Sequence, residues 1–309
     1  MAVVSLEDIA AARERIAPFI RRTPLHPLPG GPQLKLENLQ TTGSFKVRGA
    51  FNHVLARREE CAEGIITASS GNHGQAVAYV GHVLGIRAVV VVPETVVAVK
   101  ADAIAGYGAE VIRFGRYPED RVIKARELAD RRGLHYVPPY DDPLIIAGQG
   151  TAGVEIVEDC PDVETVLVPV SGGGLLSGVA AAVKGLRPEV RVIGAEPAGA
   201  DRFGRSRQAG MPVMLERAET IADGLRALSP GRLTWDVTSE YVDEFHSVSD
   251  QAILAAMRRV LFGGHLLLEP SGAIAAAAAF ELGLIGPTVV AVASGGNVDP
   301  PILLQALTA

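Results

Sequence analysis

The sequence is poor in cysteine and lysine, and it has no long apolar run and no run of one charge. Two cysteines, Cys61 and Cys160, cannot build a disulfide framework in 309 residues, so two reduced thiols in a cytoplasmic protein are expected. The 29 lysine and arginine residues are scattered and the net charge is −6, which argues against a nucleic-acid or polybasic membrane surface and for a small-molecule ligand. The longest apolar run, Ala273 to Phe280, is mostly alanine and stops at Glu281, short of the roughly 20 residues that a membrane span requires. The segment from Ser5 to Ile16 opens with a helix-capping residue and early acids, unlike a secretory signal, and reads as an amphipathic first helix.

What is present is an alternation. Gly64–Ala68, Ala88–Val92, Glu110–Phe114, Thr165–Val170, Val190–Ala195 and Thr288–Ala293 are short apolar runs that predict strands buried on both faces. Between them, Gln75–Gly85, Lys100–Gly108, Asp120–Arg132, Gly174–Leu186 and Ser249–Leu261 carry helical spacing, several closed by glycine. Strand and helix in turn imply an α/β fold on parallel sheet. The proline-rich segment Tyr136–Pro143 breaks the pattern, as a domain crossing or an ordinary surface loop would, and a second crossing is expected near Cys61–Gly64.

Four short segments invite a chemical reading. Lys46, one of only five lysines, follows Thr42-Gly43-Ser44-Phe45; with Ser44 as helix cap it would stand in a first turn, where the positive end of the helix dipole lowers the pKa of an amine. A solvated surface lysine is the plainer alternative. Ala68-Ser69-Ser70-Gly71-Asn72-His73-Gly74 joins a strand to a helix and would offer backbone N–H groups and hydroxyls to a carboxylate, or serve simply as a turn. Ser171-Gly172-Gly173-Gly174-Leu175 lies at the next strand-to-helix junction, where three residues without Cβ let a phosphate approach several N–H groups. Ser294-Gly295-Gly296-Asn297 follows the last strand, at the sheet edge where ligands bind in open α/β folds. A dinucleotide site at the glycine loop is disfavoured, because Ser177 stands where the third glycine belongs, although Glu196 lies about where a ribose-binding acid would.

Together these segments resemble the fold-type II pyridoxal-phosphate enzymes, in particular the serine/threonine dehydratase and serine racemase family. The resemblance runs in order through Ser44–Ala50, Ser69–Gln75, Ala147-Gly148-Gln149-Gly150-Thr151, the glycine loop, Thr220-Ile221-Ala222-Asp223-Gly224, Glu269-Pro270-Ser271-Gly272 and Ser294–Asp299. It implies two parallel-sheet α/β domains, as in the tryptophan synthase β-like fold, with pyridoxal 5'-phosphate in the cleft. A large domain would take residues 1–61 and 141–309 and a small one 62–140. It implies Lys46 as Schiff-base lysine and Ser70 as second catalytic group. Phe45, Asn72, Ser171, Gly172, Gly173, Gly174, Leu175, Glu269 and Ser294 would hold the cofactor, while Ser69, Ser70, Asn72, His73 and, by a looser match, Arg121 would hold the substrate.

The implied activity is an ammonia-lyase that turns a β-hydroxy-α-amino acid such as L-serine or L-threonine into a 2-oxo acid and ammonia. A racemase of the serine racemase type is the alternative, and a silent amino-acid sensor is disfavoured by the presence of Lys46. The family also suggests a homodimer. Three departures stand out. Ser171 replaces a usual glycine, Ala227 follows Asp223-Gly224 where a hydroxyl residue is common, and Arg202 stands where metal-dependent members carry a second acid, so no metal is expected.

Overall fold

The computed structural model describes residues 3–308. Its ten strands are β1 (Leu25–Pro27), β2 (Pro32–Lys35), β3 (Ile65–Ala68), β4 (Ala88–Val92), β5 (Glu110–Arg113), β6 (His135–Tyr136), β7 (Thr165–Pro169), β8 (Arg191–Pro197), β9 (Glu244–Val248) and β10 (Gly286–Val292). They form two sheets, ordered β1-β2-β10-β7-β8-β9 and β5-β4-β3-β6. Every pairing is parallel except the short hairpin β1–β2. The fold is therefore two α/β domains. The smaller sheet draws only on residues 65–136, and the larger takes its strands from both sides of that segment.

The central strands β4 and β7 are buried at every residue, as their unbroken apolar runs predict. The strands not foreseen are β1, β2, β6 and β9. They are short or charged, two carry proline, and three of them lie at sheet edges, where residues need not be apolar. The alanine run is the inner part of the helix Pro270–Glu281, with Ala273–Ala279 all buried against the larger sheet. Small side chains let that helix lie close to the strands, which explains an apolar run with no membrane role. Among the described residues, no helix is long and apolar enough to cross a membrane.

Two glycines show how the helix that carries Lys46 is seated. A Cβ on Gly148 would stand 2.7 Å from the Gly49 Cα, and one on Gly178 would stand 2.3 Å from the Ile146 carbonyl oxygen. Backbones of the helices Lys46–Ala56, Pro143–Asp159 and Gly174–Leu186 thus touch where any side chain would part them. Beside that contact, fully buried Arg48 donates to Glu37 Oε2 at 2.8 Å and Oε1 at 2.7 Å, to both Glu155 oxygens at 2.8 Å and to Thr151 Oγ1 at 3.0 Å. Buried Lys35 donates to Glu155 at 2.6 Å. Two cations and two carboxylates therefore share one buried site, which a lone buried charge could not occupy without great cost. Burial pushes the Glu155 carboxyl up, but the bonds and charges of Arg48 and Lys35 outweigh it and hold it below the usual range.

One local expectation fails. Ser44 does not cap the helix: Phe45 is the capping residue, itself in helical conformation, and the buried Ser44 Oγ has no partner. The cause is tertiary. Ser44 bridges to Gly295, and the Phe45 N–H donates to the Ser294 carbonyl at 3.1 Å, so the backbone here is fixed by the last loop of the larger sheet.

Candidate active site

Lys46 is the first residue of its helix, and its Nζ donates to the Pro139 carbonyl at 2.7 Å. Among the described residues, no carboxylate pairs with it. The side chain is partly exposed, yet its amine lies in packed surroundings, and that desolvation alone pushes its pKa down to about 8. Removal from water, rather than the helix dipole, is the cause of the shift. The Phe45 ring lies beside the amine, 5.2 Å from its centroid. The acceptor at Pro139 belongs to the proline-rich segment that leads out of β6, so both sheets contribute to the setting of Lys46.

The glycine loop follows β7. Gly172, Gly173, Gly174 and Leu175 are buried, and among the described residues none of their N–H groups meets a protein acceptor. Four adjacent N–H groups without a protein acceptor, at a glycine loop that opens a helix, form a cradle suited to an anion. Gly173 adopts φ +100°, and a Cβ there would meet Thr234 at 2.6 Å. A Cβ on Gly172 would stand 2.4 Å from the Tyr140 ring, so that ring packs flat against the loop. Thr234 Oγ1 donates to the Gly172 carbonyl at 2.6 Å, and Ser171 Oγ accepts from the Ala227 N–H at 3.3 Å.

Opposite these elements, Asn72 is held at both ends of its amide. Its Nδ2 donates to Glu269 Oε1 at 2.6 Å, and its Oδ1 accepts from Asn297 Nδ2 at 2.7 Å. Burial, followed by the charge of Asp223, pushes the Glu269 carboxyl up to about 8. Buried Ser294 donates through Oγ to the Ser271 carbonyl at 3.2 Å. A cavity of about 550 Å³ opens here, lined by Lys100, Thr220, Asp223, Glu269, Asn297 and Asp299. Lys100, from the helix Ala98–Ala105 of the smaller domain, reaches Asp223 at 2.7 Å and Asp299 at 2.9 Å across its mouth.

The Ser69–Gly71 turn joins β3 to the helix Asn72–Leu84, and Ser69 Oγ accepts from the Gly71 N–H at 3.3 Å. The Ser70 hydroxyl is partly exposed and makes no hydrogen bond among the described residues. His73 is buried. Its Nε2 meets the Val137 carbonyl at 3.1 Å and its Nδ1 has no partner, while burial and then the nearby Lys46 charge push its pKa down to about 3. Hence the ring is neutral. Arg121 donates from its guanidinium to the Arg116 carbonyl at 3.4 Å, just ahead of its helix, and its buried Nε has no partner among the described residues.

Three residues of the site carried no signal in the sequence: Tyr140 lies in a segment legible only as a break, and Thr234 and Lys100 gain their places from contacts with distant parts of the chain, while Asn297 lay in a segment that was singled out but was given no role. The residues present fit pyridoxal phosphate: a cradle of free N–H groups for its phosphate, a desolvated amine for its aldehyde, and a neutral hydroxyl and an amide for its ring.

Comparison with known proteins gives the same reading. The family model described as pyridoxal-phosphate dependent enzyme matches residues 16–295. A catabolic L-threonine dehydratase of Staphylococcus aureus is 42% identical over 311 aligned residues, covering 96% of this chain and 90% of that protein. The solved structure of maize serine racemase superposes with a TM-score of 0.93 at 37% identity, covering 99% of this chain and 97% of that one. The crystal structure of a threonine deaminase from T.th. gives a TM-score of 0.91 at 44% identity, covering 96% of this chain and 99% of that one.

Proposed function

This chain belongs to the pyridoxal-phosphate dependent enzyme family, and from that premise we propose that it is an ammonia-lyase converting a β-hydroxy-α-amino acid such as L-serine or L-threonine to a 2-oxo acid and ammonia. The observation that carries this reading is Lys46: a desolvated amine with no acid partner, close to a glycine loop whose N–H groups are free.

Pyridoxal phosphate, when bound, supplies an electron sink for the charge left on the substrate α-carbon as its proton departs. The rest is the work of the chain. The N–H groups of Gly172–Leu175 would hold the phosphate at the start of a helix, where its dipole favours an anion. Lys46, largely uncharged above pH 8, takes the α-proton as general base. Asn72, oriented by Glu269 and Asn297, would hold the ring hydroxyl. Phe45 packs beside the ring. Ser294 would lie at the ring nitrogen as a neutral hydroxyl, which would bring no full negative charge to keep that nitrogen protonated. Such a setting would supply a weaker electron sink, which favours loss of the β-hydroxyl. Ser69, Ser70, Asn72, His73 and, by a looser match, Arg121 would receive the substrate carboxylate. The two sheets support a division into residues 1–61 with 141–309, and 62–140. A cytoplasmic homodimer completes the proposal.

Purified protein given L-threonine and L-serine should release 2-oxo acid and ammonia in equal amounts. Absence of 2-oxo acid from both, across a panel of β-hydroxy amino acids, would defeat the lyase reading.

Racemisation is the second reading, favoured by the superposition on maize serine racemase and by the unbonded Ser70 hydroxyl. If Ser70 delivers a proton to the face that Lys46 cannot reach, Ser70→Ala in heavy water should give no labelled D-enantiomer. Deuterium should still enter recovered L-substrate where proton return competes with elimination. Labelled D-product at the wild-type rate would remove Ser70 from this role.

The pKa of Lys46 gives a pH test. Only the neutral amine attacks an aldehyde, so capture of pyridoxal phosphate by the cofactor-free protein should speed up as pH rises and level off just above pH 8. A lysine at its ordinary value would keep accelerating to about pH 10.4. That later plateau, seen by stopped-flow absorbance, would contradict the desolvated amine.

A further inference from the structure

Arg202 is fully buried, and its guanidinium is surrounded by backbone oxygen rather than by acid. It donates to the carbonyls of Ser171 at 2.8 Å, Val170 at 3.4 Å, Leu225 at 2.8 Å and, more closely still, Ala200. These carbonyls come from three stretches of chain: the end of β7 with the start of the glycine loop, the segment after β8, and the turn at Asp223–Leu225. Glu196 is the acid next to this group. Its Oε1 lies 4.0 Å from Arg202 Nε and accepts from the Phe203 N–H at 2.9 Å, while Oε2 accepts from the Gly204 N–H at 2.8 Å. Burial pushes that carboxyl up to about 7 despite the nearby guanidinium.

Carbonyl oxygens converging beside a carboxyl form the kind of shell that a hard cation such as Ca²⁺ takes. Here a planar guanidinium with several donors occupies it, and the Glu196 oxygens are engaged by backbone N–H groups. The residues present therefore do not fit a divalent cation. We propose that Arg202 is the protein's own cation in this oxygen shell, a positioning residue that fixes the start of the phosphate loop and makes a metal ion there unnecessary. The geometry gives it a direct hold on that loop through Val170 and Ser171, whose carbonyls precede the free N–H groups of Gly172–Leu175.

The inference rests on the reading of that loop as the phosphate site, and the tests separate the two. Wild-type protein, titrated with pyridoxal phosphate by absorbance, should show the same dissociation constant in chelator and in excess calcium. Arg202→Met keeps the bulk and removes the donors; its dissociation constant for pyridoxal phosphate should rise about tenfold or more, with a smaller loss of turnover at saturating cofactor. Arg202→Asp puts a second carboxylate beside Glu196. It should bind calcium with one-site stoichiometry by titration calorimetry, where wild type gives no heat at this site, and calcium should restore its melting temperature and most of its cofactor affinity.

Three results would overturn the proposal. They are wild-type cofactor affinity in Arg202→Met, a wild-type dissociation constant that rises tenfold in chelator and recovers with calcium, and an Arg202→Asp protein that neither binds calcium nor is stabilised by it. Gly172→Ala is the control for the loop itself, since its methyl group would strike the Tyr140 ring. If Gly172→Ala loses the cofactor while Arg202→Met keeps it, only the role of Arg202 falls. If Gly172→Ala folds and binds as wild type does, the phosphate-loop reading falls with it.

Discussion

Lys46→Ala should purify colourless, or lose its colour on dialysis, and should turn over β-hydroxy amino acids at least about 10³-fold more slowly than the wild type. The argument is that one amine has two duties, attachment of the cofactor and removal of the α-proton, and no other lysine can take them up. Lys35 is bound to Glu155, Lys100 to Asp223 and Asp299, Lys124 to Glu127 and Lys184 to Asp243. Among the described residues, Lys46 is the one of the five without an acid partner. Mass spectrometry after borohydride reduction of the wild type should find the cofactor on the peptide that contains Lys46. A variant that still carries a borohydride-fixed cofactor on another lysine, or turns over within tenfold of wild type, would remove Lys46 from its assigned place.

Arg48→Met should lower stability by about 3–5 kcal/mol, because it strands Glu37 and Glu155 in a buried site with only Lys35 to compensate. The apparent melting temperature should fall on the order of 10 °C. The pH dependence has a definite sign. In the wild type the depressed Glu155 pKa adds stability that is present above the usual glutamate value and lost as pH falls through the folded value. In the variant, the Glu155 carboxyl keeps its burial but loses the Arg48 bonds that lowered it, so its contribution to stability above the usual glutamate value shrinks or reverses. The gap between variant and wild type should therefore be wider at pH 7 than at pH 5. A gap that is small, or the same at both, would mean that water enters the site and solvates the acids. Since Arg48 lies two residues after Lys46 on the same helix, loss of cofactor affinity should accompany the loss of stability.

The order of strands and helices was legible because buried parallel strands must be apolar on both faces. Ala88–Val92 and Thr165–Pro169 have no polar alternative and coincide closely with their predicted runs. Gly174–Leu186 was legible to the residue. Short strands such as His135–Tyr136 were not, because a two-residue edge strand gains its identity from its neighbour rather than from its side chains. The segment Ala147–Thr151 could be recognised but not explained: its glycines serve helix contact and its threonine serves Arg48.

The sequence by itself determined the α/β alternation, the lysine that stands apart, and the glycine-rich turns after β3, β7 and β10, since each depends on local composition and local backbone freedom. Tertiary structure decided the rest. It set the cap of the Lys46 helix, because Ser294 and Gly295 hold the backbone of Ser44 and Phe45 from across the chain. It set the low pKa of Lys46, because desolvation depends on what packs around an amine and not on the residues beside it in sequence. It brought Tyr140 against the glycine loop and Arg202 among carbonyls from three segments. Charge, burial and the pairing of distant polar atoms are properties of the folded neighbourhood, and no window of sequence contains them.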